Sequence, residues 1–350
     1  MIKISLKNIL LFLQAEASIK ANELYPLLEF IRIETTGQQE CTIVRSSMNA
    51  WVFFKCACET EAIPNVFLIS DRILKGFAAQ LSPDADILIY TKGAQIYLKS
   101  GKQEIKHQVM DSIDFPKFPD KNITGVRTEI PAAVIKSIKI AMAYTKQLQY
   151  STAFSFVALA PNGDVFGSNG DFIYLKSTTV ALPNVLIDQE AAAILDSEKD
   201  YRYMDNESYY FFICGNVTFG FIKTEMNRID YSPFKSAGDP EKYFLVKTDD
   251  IIKFCSLCLA AAKELAPIGK ISDNLLSYFD SSFNIDVKVD IETGGTIPVK
   301  DYKFSVQYMR KMMAALPYKI IHFSPVGENL IAYSPEDPNY IGVFSGTFKN

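Results

Sequence analysis

The sequence predicts an α+β protein that is built from three copies of one repeated unit. The clearest copy begins at Phe67 and reads as a short apolar strand, a polar cap, an amphipathic helix, a turn and alternating strands. The same order of patterns returns at Val185 and at Phe304, an offset of roughly 118 residues each time. A chain of 350 residues is also too long for one ordinary core and suits about two or three domains. We therefore predict three domains, at residues 1–124, 125–238 and 239–350.

The first repeat starts with a predicted strand at Ile2–Ser5, which leads into an amphipathic helix at Lys7–Ala17, within a longer amphipathic run at Leu6–Lys20. Pro116 and Pro119 end strand pairing after the Phe67 unit, because proline lacks the N–H that a strand ladder needs. Residues 117–125 then form a predicted linker. Between the helix and the Phe67 unit, strand-like runs lie at residues 28–33, 41–45 and 51–58.

The second and third repeats follow the same plan. The second has a predicted helix at about Ala132–Thr145 and a hairpin turn at residues 161–164. A linker at residues 232–239 separates it from the third repeat, which has a strand at Tyr243–Val246 and a helix at about Asp249–Glu264. Each of these helices carries one apolar stripe, so each can cover one face of a sheet.

The composition is that of a soluble globular protein, with 48% hydrophobic and 22% charged residues. No apolar run approaches the roughly 18 residues that a membrane-spanning helix needs, so we expect no membrane partner and a cytoplasmic location. The net charge is −4. That balance does not exclude nucleic acid, because attraction to phosphates depends on a local basic stripe and not on the total charge.

The six cysteines form no recognisable metal motif. Cys255 and Cys258 make a C-x-x-C pair inside a helix pattern, with no second pair nearby. A zinc site would need two more ligands, and the histidines are only His107 and His322. A redox pair belongs at a helix start after a strand, which is a different context. We expect buried, inert thiols and no metal, and a redox enzyme that uses Cys255 and Cys258 is the alternative from another class.

Motifs of common enzymes are missing from the sequence. It contains no GxxxxGK[ST] phosphate loop, no GxGxxG after a strand and no GxSxG elbow. Both histidines lie in strand-like runs, where a surface or interface role is the commoner one. Acidic pairs such as Asp249 and Asp250 lie where helices begin, and capping explains them. The sequence therefore predicts a non-catalytic interaction scaffold that needs no cofactor.

Several segments, distributed over nearly the whole chain, carry a resemblance to a known family. They are FLISDRILKGFAAQL and IDFPKFP in the first repeat, VFGSNGDFIYLKST in the second, and FSVQYMRKMMAAL and IGVFSGTF in the third. The chain resembles the bacterial DNA polymerase III beta-subunit sliding clamps. The resemblance implies three clamp domains per chain, each with two helices packed on antiparallel sheets. It further implies that two chains pair head to tail and form a homodimeric ring around double-stranded DNA. Such a ring is a processivity factor: a clamp loader places it on DNA, and it tethers the polymerase catalytic subunit.

In such a ring the helices would line the hole, and their basic side chains would meet DNA phosphates without reading sequence. Gln149 and Tyr150 correspond to positions that contact an exposed single strand, where Tyr150 could stack on a base. The predicted helix Asp188–Lys199 departs from this scheme, because its acids would repel phosphate. The resemblance assigns DNA contact to Arg72, Lys75, Lys136, Lys139, Lys146, Gln149, Tyr150, Lys253, Lys263, Arg310 and Lys311.

The resemblance also implies a pocket between the second and third domains that takes short peptides of partner proteins. The family has a His-Arg pair where this chain has Asp171 and Phe172, and its Met-Pro-Met-Arg-Leu ending is replaced here by residues 344–348. We therefore expect a different peptide preference, and core packing is the alternative role for Phe172 and Phe344. The pocket residues would be Ser168, Gly170, Asp171, Phe172, Ile173, Ser305, Tyr308, Gly342, Phe344, Ser345 and Gly346.

The dimer contact would join the first domain of one chain to the third domain of another. Ile105 and His107, on the predicted strand Gln103–Val109, are the candidates on the first side, with partners expected near Lys263–Ile271. The divergent pocket also leaves open a clamp from a phage or another mobile element.

Overall fold

The computed structural model describes most of the chain and gives the bounds of its elements. The described residues are 1–17, 19, 25–37, 39–47, 49–60, 65–116, 127–146, 152–235, 243–262, 267–272, 275–280, 285–290, 302–327 and 329–345. The α-helices are α1 (Leu6–Glu16), α2 (Asp71–Ala78), α3 (Ala132–Ala143), α4 (Gln189–Ile194), α5 (Thr248–Ala261) and α6 (Val306–Ala315). None of these helices is long and apolar enough to cross a membrane.

The strands of the first half of the chain are β1 (Ile2–Ser5), β2 (Phe30–Thr35), β3 (Glu40–Ser46), β4 (Ala50–Ala57), β5 (Glu59–Thr60), β6 (Val66–Ser70), β7 (Asp86–Lys92), β8 (Gln95–Ser100), β9 (Gln103–Gln108), β10 (Thr128–Ile130), β11 (Val157–Leu159), β12 (Asp164–Ser168) and β13 (Phe172–Ser177). Those of the second half are β14 (Val185–Ile187), β15 (Tyr201–Asp205), β16 (Tyr209–Cys214), β17 (Val217–Ile222), β18 (Phe244–Lys247), β19 (Ile268–Ser272), β20 (Leu275–Asp280), β21 (Ile285–Asp290), β22 (Tyr302–Ser305), β23 (Ile320–Val326), β24 (Asn329–Ser334) and β25 (Asp337–Ser345).

The chain forms two compact units, and neither is a contiguous segment. The first unit contains Met1–Ala132 and Ala193–Thr224. Its sheets have the strand orders β5-β1-β7-β8-β9 and β10-β15-β16-β17-β4-β3-β2-β6. The second unit contains Ala133–Ala192 and Glu225–Asn350. Its sheets have the orders β14-β11-β12-β13-β25-β24-β23-β18 and β21-β20-β19-β22.

The two eight-stranded sheets explain why these units cut across the predicted repeats. In the first unit, β17 of the second repeat pairs antiparallel with β4 of the first. In the second unit, β25 of the third repeat pairs in the same way with β13 of the second. We call these pairings the first junction and the second junction. Each sheet therefore continues from one repeat into the next, and the division into three domains stays a prediction from the sequence.

The helices begin and pack as their sequences require. Ser5 and Ser305 cap α1 and α6, because their hydroxyl oxygens accept from the N–H of Asn8 at 3.4 Å and of Tyr308 at 3.5 Å. Apolar side chains of the helices are buried, and α1, α2, α5 and α6 pack on strands. Gly167 on β12 lies so close to α3 that a Cβ there would meet the Ala141 carbonyl oxygen at 2.3 Å.

One predicted helix is wrong in its length. Residues 188–199 were expected to form a single acidic helix, but α4 ends at Ile194 and a turn follows. Asp188 lies before the helix and caps it, since its Oδ1 accepts from the Ala191 N–H at 2.7 Å. Asp196 also lies outside the helix and pairs with Lys199 at 3.4 Å. Of the four acids in the predicted helix, only Glu190 lies within α4, so α4 carries no continuous acidic face.

Candidate functional site

Five of the basic candidates lie on helices of the second unit and are exposed. Lys136 and Lys139 are on α3, Lys253 is on α5, and Arg310 and Lys311 are on α6. Helices α5 and α6 pack against each other, and the Arg310 Nε donates a hydrogen bond to the Ser256 Oγ at 3.0 Å. Partial burial lowers the pKa of Lys311. Lys146, half-buried, follows α3.

The two basic candidates of the first unit differ from each other. Arg72 on α2 is exposed. The Lys75 Nζ instead lies 2.6 Å from Glu16 and 2.9 Å from Asp71. Burial acts to lower the pKa of Lys75, but its hydrogen bonds to these two carboxylates outweigh burial and raise it. Because acidic side chains already neutralise Lys75, it is a weaker candidate for phosphate contact than Arg72.

Four of the sequence-predicted site residues lie outside the described residues. They are Gln149, Tyr150, Lys263 and Gly346.

The candidate pocket residues of the second unit do come together. The turn between β12 and β13 holds Gly170 at a φ of +96°, and the Asn169 Oδ1 accepts from the N–H groups of Asp171 at 3.0 Å and Phe172 at 2.8 Å. The Ser345 N–H donates to the Asp171 carbonyl oxygen at 2.8 Å. This bond fastens the end of β25 beside the turn, so residues distant in sequence form one surface.

The strands at the second junction present two faces, and the predicted residues divide between them. Ile173 on β13 and Val343 on β25 pair across the junction and belong to an apolar cluster on one face. Phe172 and Phe344 point to the opposite face, because side chains alternate along a strand. Gly342 is buried opposite Tyr174.

Phe172 and Phe344 belong to the core, which corrects their assignment to an open pocket. Phe172 is 0% exposed, and its ring centroid lies 5.5 Å from that of Phe344 and 6.2 Å from that of Tyr308 on α6. Phe344 also contacts Phe323 edge to face. The core-packing alternative is therefore the right one for both phenylalanines. The alternation in the segment FIYLKS was the sequence signal that could have separated Phe172 from Ile173.

A segment that overlaps the predicted linker 232–239 only in its last four residues covers the other face. We call residues Glu225–Lys235 the strap. Met226, Ile229, Tyr231 and Phe234 of the strap pack on the second-junction cluster, which consists of Phe156, Ala158, Phe166, Ile173, Leu175, Leu186, Ile331 and Val343. The ring of Tyr231 stacks on Phe166 with centroids 4.7 Å apart. The spacing of apolar residues within the strap is the signal that could have revealed this packing.

Two polar contacts fasten the strap to the sheet. The Lys235 Nζ lies 2.5 Å from Asp164, a carboxylate that is 0% exposed. Burial acts to raise the pKa of Asp164, but the hydrogen bonds from Lys235 and Ser177 outweigh it and lower the pKa below its usual value. The Arg228 guanidinium donates to the Leu159 carbonyl oxygen at 2.8 Å. The strap thus combines aromatic anchors with a lysine on a buried acid.

The strand with the dimer candidates is an edge strand. Within the described residues β9 has one neighbour, β8, and its Ile105 is 36% exposed while His107 is half-buried. In the second unit β21 likewise has one described neighbour, β20. The segment near Ile271, where the partner residues were expected, is not an edge, because β19 pairs with both β20 and β22. The predicted partner segment Lys263–Ile271 lies partly outside the described residues and stays a prediction, and the described edges of this sheet are β21 and β22.

The two thiols of the C-x-x-C pair are buried, as core residues are. Cys255 and Cys258 are both 0% exposed, and burial raises the pKa of each to about 12. A reactive thiol needs a lowered pKa and access to solvent, so neither residue fits a redox centre. Among the described residues, no group of three His, Cys, Asp or Glu side chains could hold a metal ion.

No protein-family model matches this sequence, and no curated protein matches it. Solved structures match it over its full length. The crystal structure of the DNA polymerase III subunit beta from Pseudomonas aeruginosa has a TM-score of 0.82 at 15% identity, with 100% of both chains covered. That of a DNA polymerase sliding clamp from Caulobacter crescentus has a TM-score of 0.85 at 13% identity and 99% coverage of both chains. A putative DNA polymerase III beta subunit from Eubacterium rectale has a TM-score of 0.82 at 14% identity and 99% coverage of both.

These matches confirm the fold that the sequence resemblance implied. The identities are low, while the coverage extends from one end of the chain to the other. The chain therefore has the α+β fold of the bacterial DNA polymerase III beta sliding clamps, in a form that is divergent in sequence.

Proposed function

We propose that this protein is a DNA polymerase processivity factor, a homodimeric ring that encircles duplex DNA and tethers the replicative polymerase. One observation carries the proposal: both internal junctions use the same kind of strand pairing, and among the described strands β9 and β21 are edge strands of the same two kinds. In both junctions the last strand of a meander pairs with the strand after a hairpin turn, as β17 pairs with β4 and β25 with β13.

Two of the edge strands of the described sheets, β9 and β21, match the two kinds of strand that pair at the junctions. Strand β9 ends the meander β7-β8-β9, as β17 and β25 end theirs. Strand β21 follows β20 across a hairpin, as β4 follows β3. An edge strand is a template for pairing with another chain. Pairing of β9 with β21 of a second copy is head to tail, and a head-to-tail contact closes a ring when the rotation is right.

The exposed basic residues of α3, α5 and α6 supply the DNA contact in this proposal. Lysine and arginine near phosphates release counterions, which gives binding that does not depend on sequence. The net charge of −4 does not oppose this role, because the local arrangement of charge determines the attraction.

The remaining parts of the proposal concern the partners. In this proposal the protein is cytoplasmic and catalyses no reaction. A clamp loader opens the ring, and peptides of partner proteins bind near the turn between β12 and β13. The buried Phe172 replaces an arginine of the family pattern, which favours a changed partner preference such as a phage or mobile-element clamp would have. The redox alternative has lost its support, because Cys255 and Cys258 are buried with raised pKa values.

A charge-reversal experiment tests the DNA contact. The double variant Lys136→Glu and Lys139→Glu should bind a short duplex at least about tenfold more weakly, and the slope of log affinity against log salt should fall by about 2. Fluorescence anisotropy over a salt series measures both quantities. The matched control is Lys92→Glu with Lys99→Glu, two exposed lysines on β7 and β8. Equal losses in both double variants would remove α3 from the DNA contact.

A further inference from the structure

The five-stranded sheet of the first unit has one buried face and one partly exposed face. Successive side chains of a strand point to opposite faces. Ile87, Ile89 and Leu98 are each 0% exposed on the buried face. We call the opposite face the tyrosine face, and its residues are Leu88, Tyr90 and Lys92 of β7, Gln95, Tyr97 and Lys99 of β8, and Glu104, Lys106 and Gln108 of β9.

Two tyrosines lie at the centre of this face. Tyr90 and Tyr97 are cross-strand partners, and their rings are parallel to within 7° with centroids 5.1 Å apart. The Tyr90 hydroxyl donates to the Glu104 Oε2 at 3.1 Å, and the Tyr97 hydroxyl donates to the Gln95 Oε1 at 3.1 Å. Both side chains remain partly exposed. The pair is therefore an aromatic stack that hydrogen bonds hold in place at the surface.

Exposed lysines surround the tyrosine pair. Lys106 is the cross-strand partner of Tyr97. Lys92 follows Tyr90 by two residues and Lys99 follows Tyr97 by two, so each lies roughly 7 Å further along its strand on the same face. None of the ion pairs among the described residues involves these three lysines. Their charges are available to a ligand that reaches the tyrosines.

The local charge is positive, although the net charge of the chain is −4. Residues 87–103 contain three lysines and no acid, in a chain with 40 acidic residues. The acids on this side of the sheet are already engaged, because Asp86 pairs with Lys3 at 3.2 Å and Glu104 accepts from the hydroxyl of Tyr90. The face therefore favours an anionic ligand.

The second repeat uses the equivalent face for its core. Counted from the hairpin turn, Tyr97 and Lys106 correspond to Phe211 and Gly220, which are likewise cross-strand partners. Phe211 is 0% exposed, whereas Lys106 is exposed and Tyr97 is half-buried. The fold accepts an apolar, covered surface at this position. The tyrosines and lysines are thus a property of the first repeat and not a requirement of the repeated unit.

We propose that the tyrosine face binds single-stranded nucleic acid. Sheet surfaces and grooves that bind single strands combine aromatic rings, on which bases stack, with lysines or arginines that contact phosphates. The tyrosine face has both elements within two residues of each other along β7 and β8. A duplex keeps its bases stacked inside the helix and presents no base to the two rings. The site goes beyond the proposed function, because it needs neither a ring nor the basic residues of α3, α5 and α6.

The test uses the full chain and a fluorescent oligothymidylate of about 12 nucleotides, within the usual site sizes of single-strand binders. Anisotropy over a salt series measures affinity and salt slope. Tyr97→Leu should weaken binding about fivefold or more at an unchanged slope, because it removes a stacking ring. Tyr97→Phe should stay close to the wild type, since it keeps the ring. Lys92→Glu with Lys99→Glu should weaken binding and lower the slope by about 1.4, at about 0.7 for each phosphate contact.

Control probes separate base stacking from charge. An abasic strand of the same length should bind the wild type more weakly, and Tyr97→Leu should not weaken it further. Duplex binding should respond to Lys136→Glu with Lys139→Glu and not to Tyr97→Leu. Circular dichroism of each variant checks that the sheet is intact.

Several results would overturn the proposal. One is single-strand binding that neither Tyr97→Leu nor the Lys92 and Lys99 reversal changes. Others are an abasic strand that binds as tightly as oligothymidylate, or equal losses in Tyr97→Phe and Tyr97→Leu. An acidic peptide that displaces the strand equally well from the wild type and from Tyr97→Leu would assign the face to peptides instead. Retention on circular DNA is a separate measurement, so the ring and the tyrosine face can fail independently.

Discussion

Replacing Arg45 with methionine should lower the free energy of unfolding by about 3–5 kcal/mol, because it removes the buried cation beside the buried Glu16 carboxylate and leaves only the half-exposed Lys75 to neutralise it. The Arg45 side chain on β3 is 4% exposed and Glu16 is 1% exposed, at a distance of 3.8 Å. Arg45 also lies 3.1 Å from Asp71, and Lys75 contacts both acids. These four side chains form one charge cluster that joins α1 and α2 to the sheet.

The loss caused by Arg45→Met should depend on pH in a defined direction. Burial raises the pKa of Glu16, although Lys75 and Arg45 oppose this effect. A carboxyl group with a raised pKa holds its proton more tightly in the folded chain, so it favours folding at low pH and this contribution disappears as the pH rises past the folded pKa. Removing Arg45 raises the pKa of Glu16 further. The penalty should therefore shrink as the pH falls from neutral to mildly acidic values.

Arg32→Met is the matched control for this measurement. Arg32 pairs with Glu34 at 2.9 Å on the neighbouring strand β2, but both side chains are partly exposed. A pair of this kind contributes roughly 0–1 kcal/mol. Denaturant unfolding of both variants at neutral and mildly acidic pH gives the comparison. Similar losses for Arg45→Met and Arg32→Met would show that the buried cluster is not a special source of stability.

Lys106→Pro should convert the proposed dimer into a monomer at micromolar concentration. The Val109 N–H donates to the Ala94 carbonyl oxygen at 2.9 Å. N–H groups alternate in direction along an antiparallel strand, so those of Ile105 and His107 also point towards β8 and that of Lys106 points to the open edge. Proline at this position removes an outward donor and blocks an incoming strand, while β8 keeps its bonds.

Lys106→Thr separates the effect of the backbone from that of the charge. It removes the lysine but retains the N–H, and threonine suits a strand. We expect Lys106→Thr to stay dimeric and Lys106→Pro to weaken the dimer by at least about 100-fold, near 2.7 kcal/mol. Light scattering over a dilution series measures both. A Lys106→Pro protein that remains a dimer would place the subunit contact somewhere other than β9.

The repeated plan could be predicted because hydrophobic periodicity and caps are local features. The predicted helix Lys7–Ala17 differs from α1 by one residue at each end, and the predicted start of α3 at Ala132 agrees with the structure. Pairing between repeats, as at β4 and β17, could not be predicted. A strand sequence specifies which face is apolar, but it does not specify which distant strand lies at its edge.

The candidate site was predictable in its location and less so in its details. The turn at Gly170 and the strand end at Ser345 do meet, as the resemblance implied. The alternation in FIYLKS could have placed Phe172 and Ile173 on opposite faces, but which of these faces meets the helices depends on the register that the turn imposes. Lys75 looked like a free helix cation, since its partner Glu16 lies on another helix. The contact with Glu16 leaves no local signal, whereas the pairing of Lys75 with Asp71 four residues earlier on α2 could have been predicted from the spacing.

The most direct test of the proposed ring is the retention of the protein on DNA of different topology. Labelled protein is loaded on a nicked circular plasmid, excess protein is removed by gel filtration, and half of the sample is cut once with a restriction enzyme. A closed ring should stay on the circle and leave the linear DNA through its ends, because a ring slides without dissociating. Equal retention on circular and linear DNA, or equal loss from both, would contradict the proposal that this protein encircles DNA.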